Sequence, residues 1–216
     1  MTKPVRFLVL ALVAAPLAAR AELELSFYSG QQTGSPSDIS IRGSSTIPDD
    51  DFSQSWEGRS LEWPIYAGFR ITRWQSETFG WGLDYVHNKV EPLNGELPAG
   101  FSALEFTDGL NTWTINAYRR WPKTFGGGTP YIGGGVGLSV PGVEITYLGE
   151  QTFNYQITGP AATWLAGVSY PVNADWDVFV EYKGTYTQNE VDLDGGGTLE
   201  TDIVTSAVNL GVSFYF

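Results

Sequence analysis

The sequence contains no cysteine and only one histidine, His87, in 216 residues. The absence of cysteine excludes disulfide bonds, thiol catalysis and thiolate metal sites. With a single imidazole, a serine nucleophile would have only His87 as its histidine base, so no nucleophilic triad is indicated by the residues themselves.

Basic residues are also scarce, because 12 Lys and Arg stand against 24 Asp and Glu and give a formal net charge of −12. Such a balance argues against nucleic acid as a partner. An anionic ligand, such as a lipid phosphate, would need locally placed Lys and Arg side chains or bridging divalent cations.

Long hydrophobic runs are absent beyond the N-terminus, where Phe7–Ala19 is apolar. Two basic residues precede this run and a small-residue pattern ends at Ala21, so residues 1–21 are predicted to be a secretory signal peptide. Residues 22–216 contain no apolar run of membrane-helix length. Any membrane residence of this remaining domain must therefore come from β-strands that pair with one another.

The C-terminal stretch Asp202–Phe216 shows a regular alternation of apolar and small or polar residues that ends on Phe216. One face suits hydrocarbon and the other suits a tight polar interior. This pattern is typical of the closing strand of an outer-membrane barrel, where strands alternate with a period of two.

Similar alternation recurs along the chain and predicts eight strands. Their approximate ranges are 22–32, 61–74, 79–89, 111–121, 131–140, 155–170, 176–187 and 202–216. The intervening stretches 33–59, 91–110, 141–153 and 188–201 read as loops, and the other connections are short. We therefore predict an all-β fold, an eight-stranded antiparallel transmembrane β-barrel with four extracellular loops and both termini periplasmic.

The interior of so narrow a barrel is predicted to be filled by its own side chains, so a diffusion pore is not expected. Five charged residues have inward parity and are expected to pair with one another, since buried charges need partners. A proton or electron relay is the alternative. The five are Arg70, Asp84, Arg120, Glu181 and Lys183.

His87 has the parity of the lipid-facing residues and lies at the outer end of the third strand. One interpretation is an interfacial polar residue; the other is a catalytic base or metal ligand that meets the headgroup of an outer-leaflet lipid. In the second interpretation Glu57 and Asp108 are accessory catalytic or metal-binding carboxylates, as oxygen ligands suit such a site. The candidate substrate-binding residues are Arg59, Lys89 and Asn111.

A second candidate site lies in the last loop, where four acidic residues surround three glycines. The ligand spacing departs from a calcium loop, so weak divalent-cation binding and a solvated acidic loop both remain open. The four residues are Asp192, Asp194, Glu200 and Asp202.

Aromatic residues in the predicted loops either cover a site or rest on the membrane surface, and the sequence favours the membrane surface. They are Trp56, Phe101, Phe106, Tyr147, Phe153 and Tyr155.

Several strings, in this order, resemble the outer-membrane lipid A oxidase family of alphaproteobacteria. They are FYSGQQT (27–33), WEGRS (56–60), LEFTDGLN (104–111), NAYRRWP (116–122), YQITGPA (155–161) and EYKGTYTQNEVDLDGGGTLETDI (181–203). The resemblance covers nearly the whole predicted mature chain. The resemblance does not assign catalytic residues to positions in this sequence.

This resemblance implies an O2-dependent oxidoreductase that converts the proximal glucosamine of 1-dephosphorylated lipid A to 2-aminogluconate and releases H2O2. Dioxygen is then a co-substrate, and a divalent or redox metal of unknown identity is a candidate cofactor, because triplet dioxygen normally needs one. The implied partner is lipid A or lipopolysaccharide in the outer membrane, met by a monomeric barrel.

Two other functions remain open from the sequence. One is a non-enzymatic structural or adhesion barrel, which would leave lipid A unchanged. The other is a lipid A hydrolase with a serine and His87 at the rim, which would remove acyl chains without oxygen.

Overall fold

The computed structural model describes residues 22–216, apart from the side chains of Thr107 and Asp108. The predicted signal peptide, residues 1–21, lies outside the described residues. Thirteen strands and one short 3-10 helix at Leu93–Gly95 make up the described chain. The strands are β1 (Glu22–Gly34), β2 (Ser37–Arg42), β3 (Asp50–Gln54), β4 (Trp56–Glu57), β5 (Ala67–Trp74), β6 (Phe79–Pro92), β7 (Phe101–Arg120), β8 (Thr129–Ser139), β9 (Gly142–Tyr147), β10 (Glu150–Tyr155), β11 (Gly159–Pro171), β12 (Trp176–Asp192) and β13 (Thr198–Tyr215).

Eight of these strands close into one antiparallel barrel in the order β1, β13, β12, β11, β8, β7, β6, β5 and back to β1. Closure pairs both edges of every barrel strand, so the barrel itself has no open edge. The predicted eight-stranded antiparallel barrel is therefore confirmed. Within residues 22–216, no helix is long and apolar enough to cross a membrane.

The two ends of the barrel differ. At one end, here the turn end, short connections and both ends of the described chain meet, and Leu23 exchanges backbone hydrogen bonds with Phe216. At the other, the loop end, the remaining strands extend the sheet. β2 pairs with β13 and β3, while β9 pairs with β7 and β10.

The four long connections lie together at one end, but they are not free of strands, contrary to the prediction. They contain β2, β3, β4, β9 and β10, together with the ends of β6, β7, β12 and β13. β2 and β9 were missed because their apolar residues face inward, opposite to the lipid-facing pattern, whereas β10 turns Phe153 and Tyr155 outward. Two strand bounds also change, since β5 begins at Ala67 and the predicted strand 155–170 is divided between β10 and β11.

The outer wall of the barrel carries an apolar belt, with exposed side chains such as Ile71, Leu83, Ile115 and Leu210. Six tryptophans are exposed on the surface, as aromatic girdles require. They are Trp63, Trp81, Trp113, Trp121, Trp164 and Trp176. An apolar outer face over a closed barrel is the arrangement that a membrane-spanning barrel needs.

The barrel interior inside the belt holds a buried ion-pair network, as predicted. Arg70 contacts Asp84 at 3.2 Å and Glu181 at 3.0 Å, and Lys183 contacts Asp84 at 2.7 Å. Each positive charge thus has a carboxylate partner, which buried charges need. Arg120 does not join this network; it lies toward the turn end, pairs with Glu22 at 2.8 Å and stacks on a tryptophan ring.

Large interior aromatic side chains lie over glycines on the adjacent strand. Tyr28 is directly opposite Gly68, and Tyr118 is opposite Gly133. A Cβ placed on Gly68 would lie 2.3 Å from the Tyr28 ring, and one on Gly133 would lie 2.4 Å from the Tyr118 ring. The glycines thus let a narrow barrel hold large side chains.

At the loop end the interior is apolar instead of charged. A buried cluster fills the mouth of the barrel, and we call it the loop-end core. It comprises Ile39, Ile41, Ile47, Trp56, Val90, Leu104, Phe106, Leu110, Val143, Ile145, Val191, Leu193, Leu199 and Ile203.

The preference for loop aromatics on the membrane surface is wrong for four of the six residues. Trp56 and Phe106 belong to the loop-end core, and Phe101 and Tyr147 pack against it, because the extended strands turn these rings inward. Phe153 and Tyr155 are exposed.

Candidate active site on the outer wall

His87 lies on the outward face of β6, one pleat beyond an aromatic cluster on the outer wall. Three rings from adjacent strands form this cluster: Tyr85 is 4.7 Å from Trp113 and 5.3 Å from Phe69 between ring centroids. Aromatic rings of this kind mark the boundary between the hydrocarbon and the headgroups. His87 therefore lies at headgroup height on the loop-end side of the belt.

The imidazole is held by Asn111, its cross-strand neighbour on β7. Nδ1 of His87 lies 2.9 Å from Oδ1 of Asn111, and the Tyr85 hydroxyl donates to the same oxygen at 2.9 Å. A carboxamide oxygen only accepts hydrogen bonds, so Nδ1 is the donor and Nε2 of the neutral ring keeps its lone pair. Asn111 thus fixes both the position and the tautomer of the ring.

Nε2 of His87 is buried and has no hydrogen-bond partner among the residues that the structure describes. Most buried polar atoms in proteins are paired, so this nitrogen would gain from a hydrogen-bond partner. The ring as a whole is half-buried. A substrate must displace the atoms that cover Nε2 before it can hydrogen-bond there.

Gly109 forms part of the wall around this ring. Its φ angle is +90°, and a Cβ at this position would lie 2.3 Å from Nδ1 of His87. A side chain here would therefore both strain the backbone and displace the imidazole. Sequence reasoning missed Gly109 and Tyr85, although Tyr85 shares the outward parity of His87 and Gly109 precedes Asn111 by two residues.

The predicted headgroup-binding residues form a separate ion-pair network further toward the loop end. Arg59 lies 3.0 Å from Glu57 and 3.4 Å from Glu91, and Lys89 lies 3.2 Å from Glu91. The hydrogen bond to Glu57 raises the pKa of Arg59 above its ordinary value. Both cations are already neutralised by carboxylates, which weakens their attraction for a phosphate.

Lys89 is not exposed on the outer wall, contrary to the expectation from its parity with His87. Its ammonium group is buried and donates to the backbone oxygens of Arg59 at 3.4 Å and Glu62 at 3.2 Å. Two features explain this. The segment from Arg59 to Glu62 folds over β6, and the register between β6 and β7 shifts between Asn88 and Val90.

His87 therefore contacts Asn111 but not Glu57. Glu57 is opposite Glu91, four residues beyond His87 on β6, which corresponds to about 13 Å along a strand. The side chain of Asp108, which the sequence adds to the site, is not described. Among the described residues no three His, Asp or Glu side chains form a metal-binding group. The metal around His87 remains a prediction.

The four acidic residues of the last predicted loop lie at or near the β12–β13 hairpin, with all four exposed. Asp192 is opposite Thr198, Glu200 is opposite Glu190, and Asp202 accepts a hydrogen bond from the Tyr186 hydroxyl at 2.7 Å. They follow the outer face of two strands and do not surround a point. Weak divalent-cation binding there remains a prediction.

No family model and no curated protein matches the chain. Among solved structures it is similar to the outer membrane protein OprG from Pseudomonas aeruginosa, with a TM-score of 0.56, 14% identity and coverage of 91% of this chain and 96% of that one. It also matches Neisserial surface protein A (TM-score 0.46, 14% identity, coverage 90% and 97%) and the attachment invasion locus protein Ail of Yersinia pestis (TM-score 0.45, 10% identity, coverage 92% and 100%).

At these identities the likeness to OprG concerns the fold alone. Together with the closed barrel and its apolar belt, it defines the class of protein: a small β-barrel of the outer-membrane type.

Proposed function

We propose that this barrel is an enzyme of the outer membrane, with the loop end extracellular, that oxidises the proximal glucosamine of 1-dephosphorylated lipid A to 2-aminogluconate. The observation that carries the proposal is the imidazole of His87, which Asn111 orients at headgroup height and whose buried Nε2 has no hydrogen-bond partner among the described residues. The resemblance of the sequence to the lipid A oxidase family supplies the substrate and the reaction.

The reaction needs a free anomeric hydroxyl, which is why a phosphate at that position would block it. In the proposed step Nε2 of His87 accepts the proton of the anomeric hydroxyl as the C1–H bond breaks. The two electrons and two protons released reach dioxygen, which becomes H2O2. The resulting lactone adds water and opens to the carboxylic acid, so the sugar gains one oxygen atom overall.

The path of electrons to dioxygen requires a group beyond these side chains, because triplet dioxygen reacts slowly with closed-shell organic molecules. His87 and Glu57, as placed in the structure, do not form a common metal site. We therefore assign to the described residues only the binding of the sugar and the movement of its proton.

The direct test is the mass of 1-dephosphorylated lipid A after incubation with refolded protein under air and under nitrogen. Gain of one oxygen atom under air only is expected. The change His87→Ala should lower the rate by at least about a hundredfold, the usual contribution of a general base. Unchanged lipid under both gases, with a folded and metal-supplied barrel, would favour the structural or adhesion barrel, and oxygen-independent loss of acyl mass would favour a hydrolase.

A matched pair of variants separates a chemical role of His87 from a structural one. Gly109→Ala should displace the ring without removing it, and should lower the rate while the barrel stays folded. Gly126→Ala is the control, because Gly126 also has a positive φ, +57°, but lies in a turn at the other end with open space around it. Equal activity in the two variants would contradict the assigned ring position.

A further inference from the structure

The outer wall contains a groove that the site around His87 does not use. It lies across β8, β11 and β12 and has a volume of about 450 Å³. Its lining is mainly apolar and includes Val136, Leu138, Pro160, Ala162, Tyr186 and Gln188.

The groove arises from one small residue between two larger ones. Ala162 is directly opposite Val136 on β8 and opposite Tyr186 on β12, so its methyl group forms the floor between taller side chains. Toward the turn end the next outward residue of β11 is Trp164, which is exposed and lies over Gly184. Trp164 thus lies on the turn-end side of the groove, and Pro160, Leu138 and Gln188 line its loop-end side.

The position of the groove indicates a lipid chain as its occupant. Leu138 is opposite Trp113, and Trp113 is opposite Tyr85, so a single row of cross-strand neighbours connects the groove with the aromatic cluster beside His87. Exposed apolar side chains such as Val136 line the groove on the outer wall. Apolar walls at this depth bind hydrocarbon by contact and not by hydrogen bonds.

The groove and the His87 site lie close enough for one lipid molecule to reach both. His87 is on β6 and the groove begins at β8, two strands away, and its floor lies one strand further. With about 4.8 Å between neighbouring strands, the lateral separation is on the order of 10–15 Å. Such a span fits a glycolipid whose headgroup is a disaccharide bearing several acyl chains.

We propose that this groove binds one acyl chain of the lipid A molecule whose proximal sugar lies at His87, and so selects the substrate. This inference rests on the proposed function, and it adds a specificity-determining subsite to it. Ala162 is the residue that keeps the groove open.

The test compares Ala162→Phe with Ala166→Phe. Ala166 is the matched control because it is an exposed outward alanine two pleats away on the same strand, outside the groove. Both variants are made in the His87→Ala background, so binding is measured without turnover. Native mass spectrometry of the refolded barrels gives the affinity for 1-dephosphorylated lipid A, with phosphatidylethanolamine as the competing lipid.

Ala162→Phe should weaken lipid A binding severalfold, since the phenyl ring fills the space of the chain and removes its contacts with the groove walls, whereas Ala166→Phe should leave the affinity unchanged. Equal affinity in the two variants would overturn the inference. So would equal retention of phosphatidylethanolamine, which would make the groove a general contact with membrane lipid.

The same variants with His87 restored distinguish the two proposals. A higher KM with little change in kcat for Ala162→Phe supports both. Normal oxidation by Ala162→Phe would overturn the groove alone. Selective, Ala162-dependent binding without any oxidation of lipid A would overturn the proposed oxidase while the groove stands.

Discussion

The interior of the barrel changes its chemistry along its length. Inside the apolar belt, β13 turns Asn209 and Thr205 inward beside the buried ion pairs. A few residues along the same face, the same strand turns Ile203 and Leu199 into the loop-end core. Strand direction, parity and the pairing with β12 do not change between the two regions, while the partner on the other edge changes from β1 to β2. We attribute the difference in the interior to the surroundings of the barrel.

The medium around each part of the barrel determines which side chains fill the interior there. In the belt the outward positions face hydrocarbon, so apolar residues lie there. Moving more apolar side chains from lipid into the interior would not lower the free energy, because both surroundings are apolar. At the loop end both faces of a strand would otherwise meet water. There the hydrophobic effect drives one face inward, as in a soluble protein.

The ion pairs inside the belt should give the largest response to mutation. Replacing Arg70 by Met leaves Glu181 buried without its bidentate partner, and breaking a buried pair costs about 3–5 kcal/mol. Urea unfolding in detergent or lipid vesicles, followed by tryptophan fluorescence and by loss of the compact form in gel electrophoresis, measures this cost.

The control for this prediction is the double variant Arg70→Met with Glu181→Leu, which removes both charges and should recover much of the lost stability. If the double variant is as unstable as the single one, the shape of these side chains and not their charge determines the stability of the belt interior.

The loop-end core should respond in the manner of a soluble core. Ile41→Ala removes a fully buried side chain and should cost about 2–5 kcal/mol, mostly by opening the loop end locally. Hydrogen exchange and limited proteolysis should show faster exchange and cleavage in β2, β3 and the tip of β12–β13, with belt strands still protected. Leu210→Ala, which faces outward in the belt, is the control and should leave the loop end protected. Equal deprotection of all strands would contradict two separable regions.

The same difference explains how much of the fold the sequence could predict. The belt strands could be predicted because outward apolar residues such as Val208 and Leu210 alternate with inward polar ones. All eight strands share this pattern, since each has one face toward lipid and the other toward the barrel interior. The segment Ser37–Arg42 alternates just as regularly, with Ile39 and Ile41 on one face. Its apolar face points inward, and the nearby Pro36, Pro48 and acidic run 49–51 are typical of a loop, so the sequence did not predict a strand here.

The candidate site was predicted in part. The parity of His87 placed it correctly on the outer wall, and its pairing with Asn111 follows from a regular antiparallel register. The burial of Lys89 could not be predicted, because it depends on a register shift and on the path of an irregular segment over β6. Neither the register shift nor the path of this segment produces a periodic residue pattern in the sequence.

The smallest response is expected at the most exposed ion pair, on the β2–β3 hairpin at the loop end. Arg42 contacts Asp51 at 2.6 Å, with 47% and 67% of the two side chains exposed. The hydrogen bond from Arg42 lowers the pKa of Asp51 in the folded protein. Any stability from this pair is therefore present above the pKa that Asp51 has in the unfolded chain, and it is lost as the pH falls through its pKa in the folded protein. Water and salt screen exposed pairs, so Asp51→Asn should leave the urea midpoint unchanged, although NMR titration should show the lowered pKa of Asp51. If Asp51→Asn instead lost as much stability as Arg70→Met, ion pairs would stabilise the loop end and the belt equally. The difference between a charged and an apolar interior would then not explain what stabilises each region.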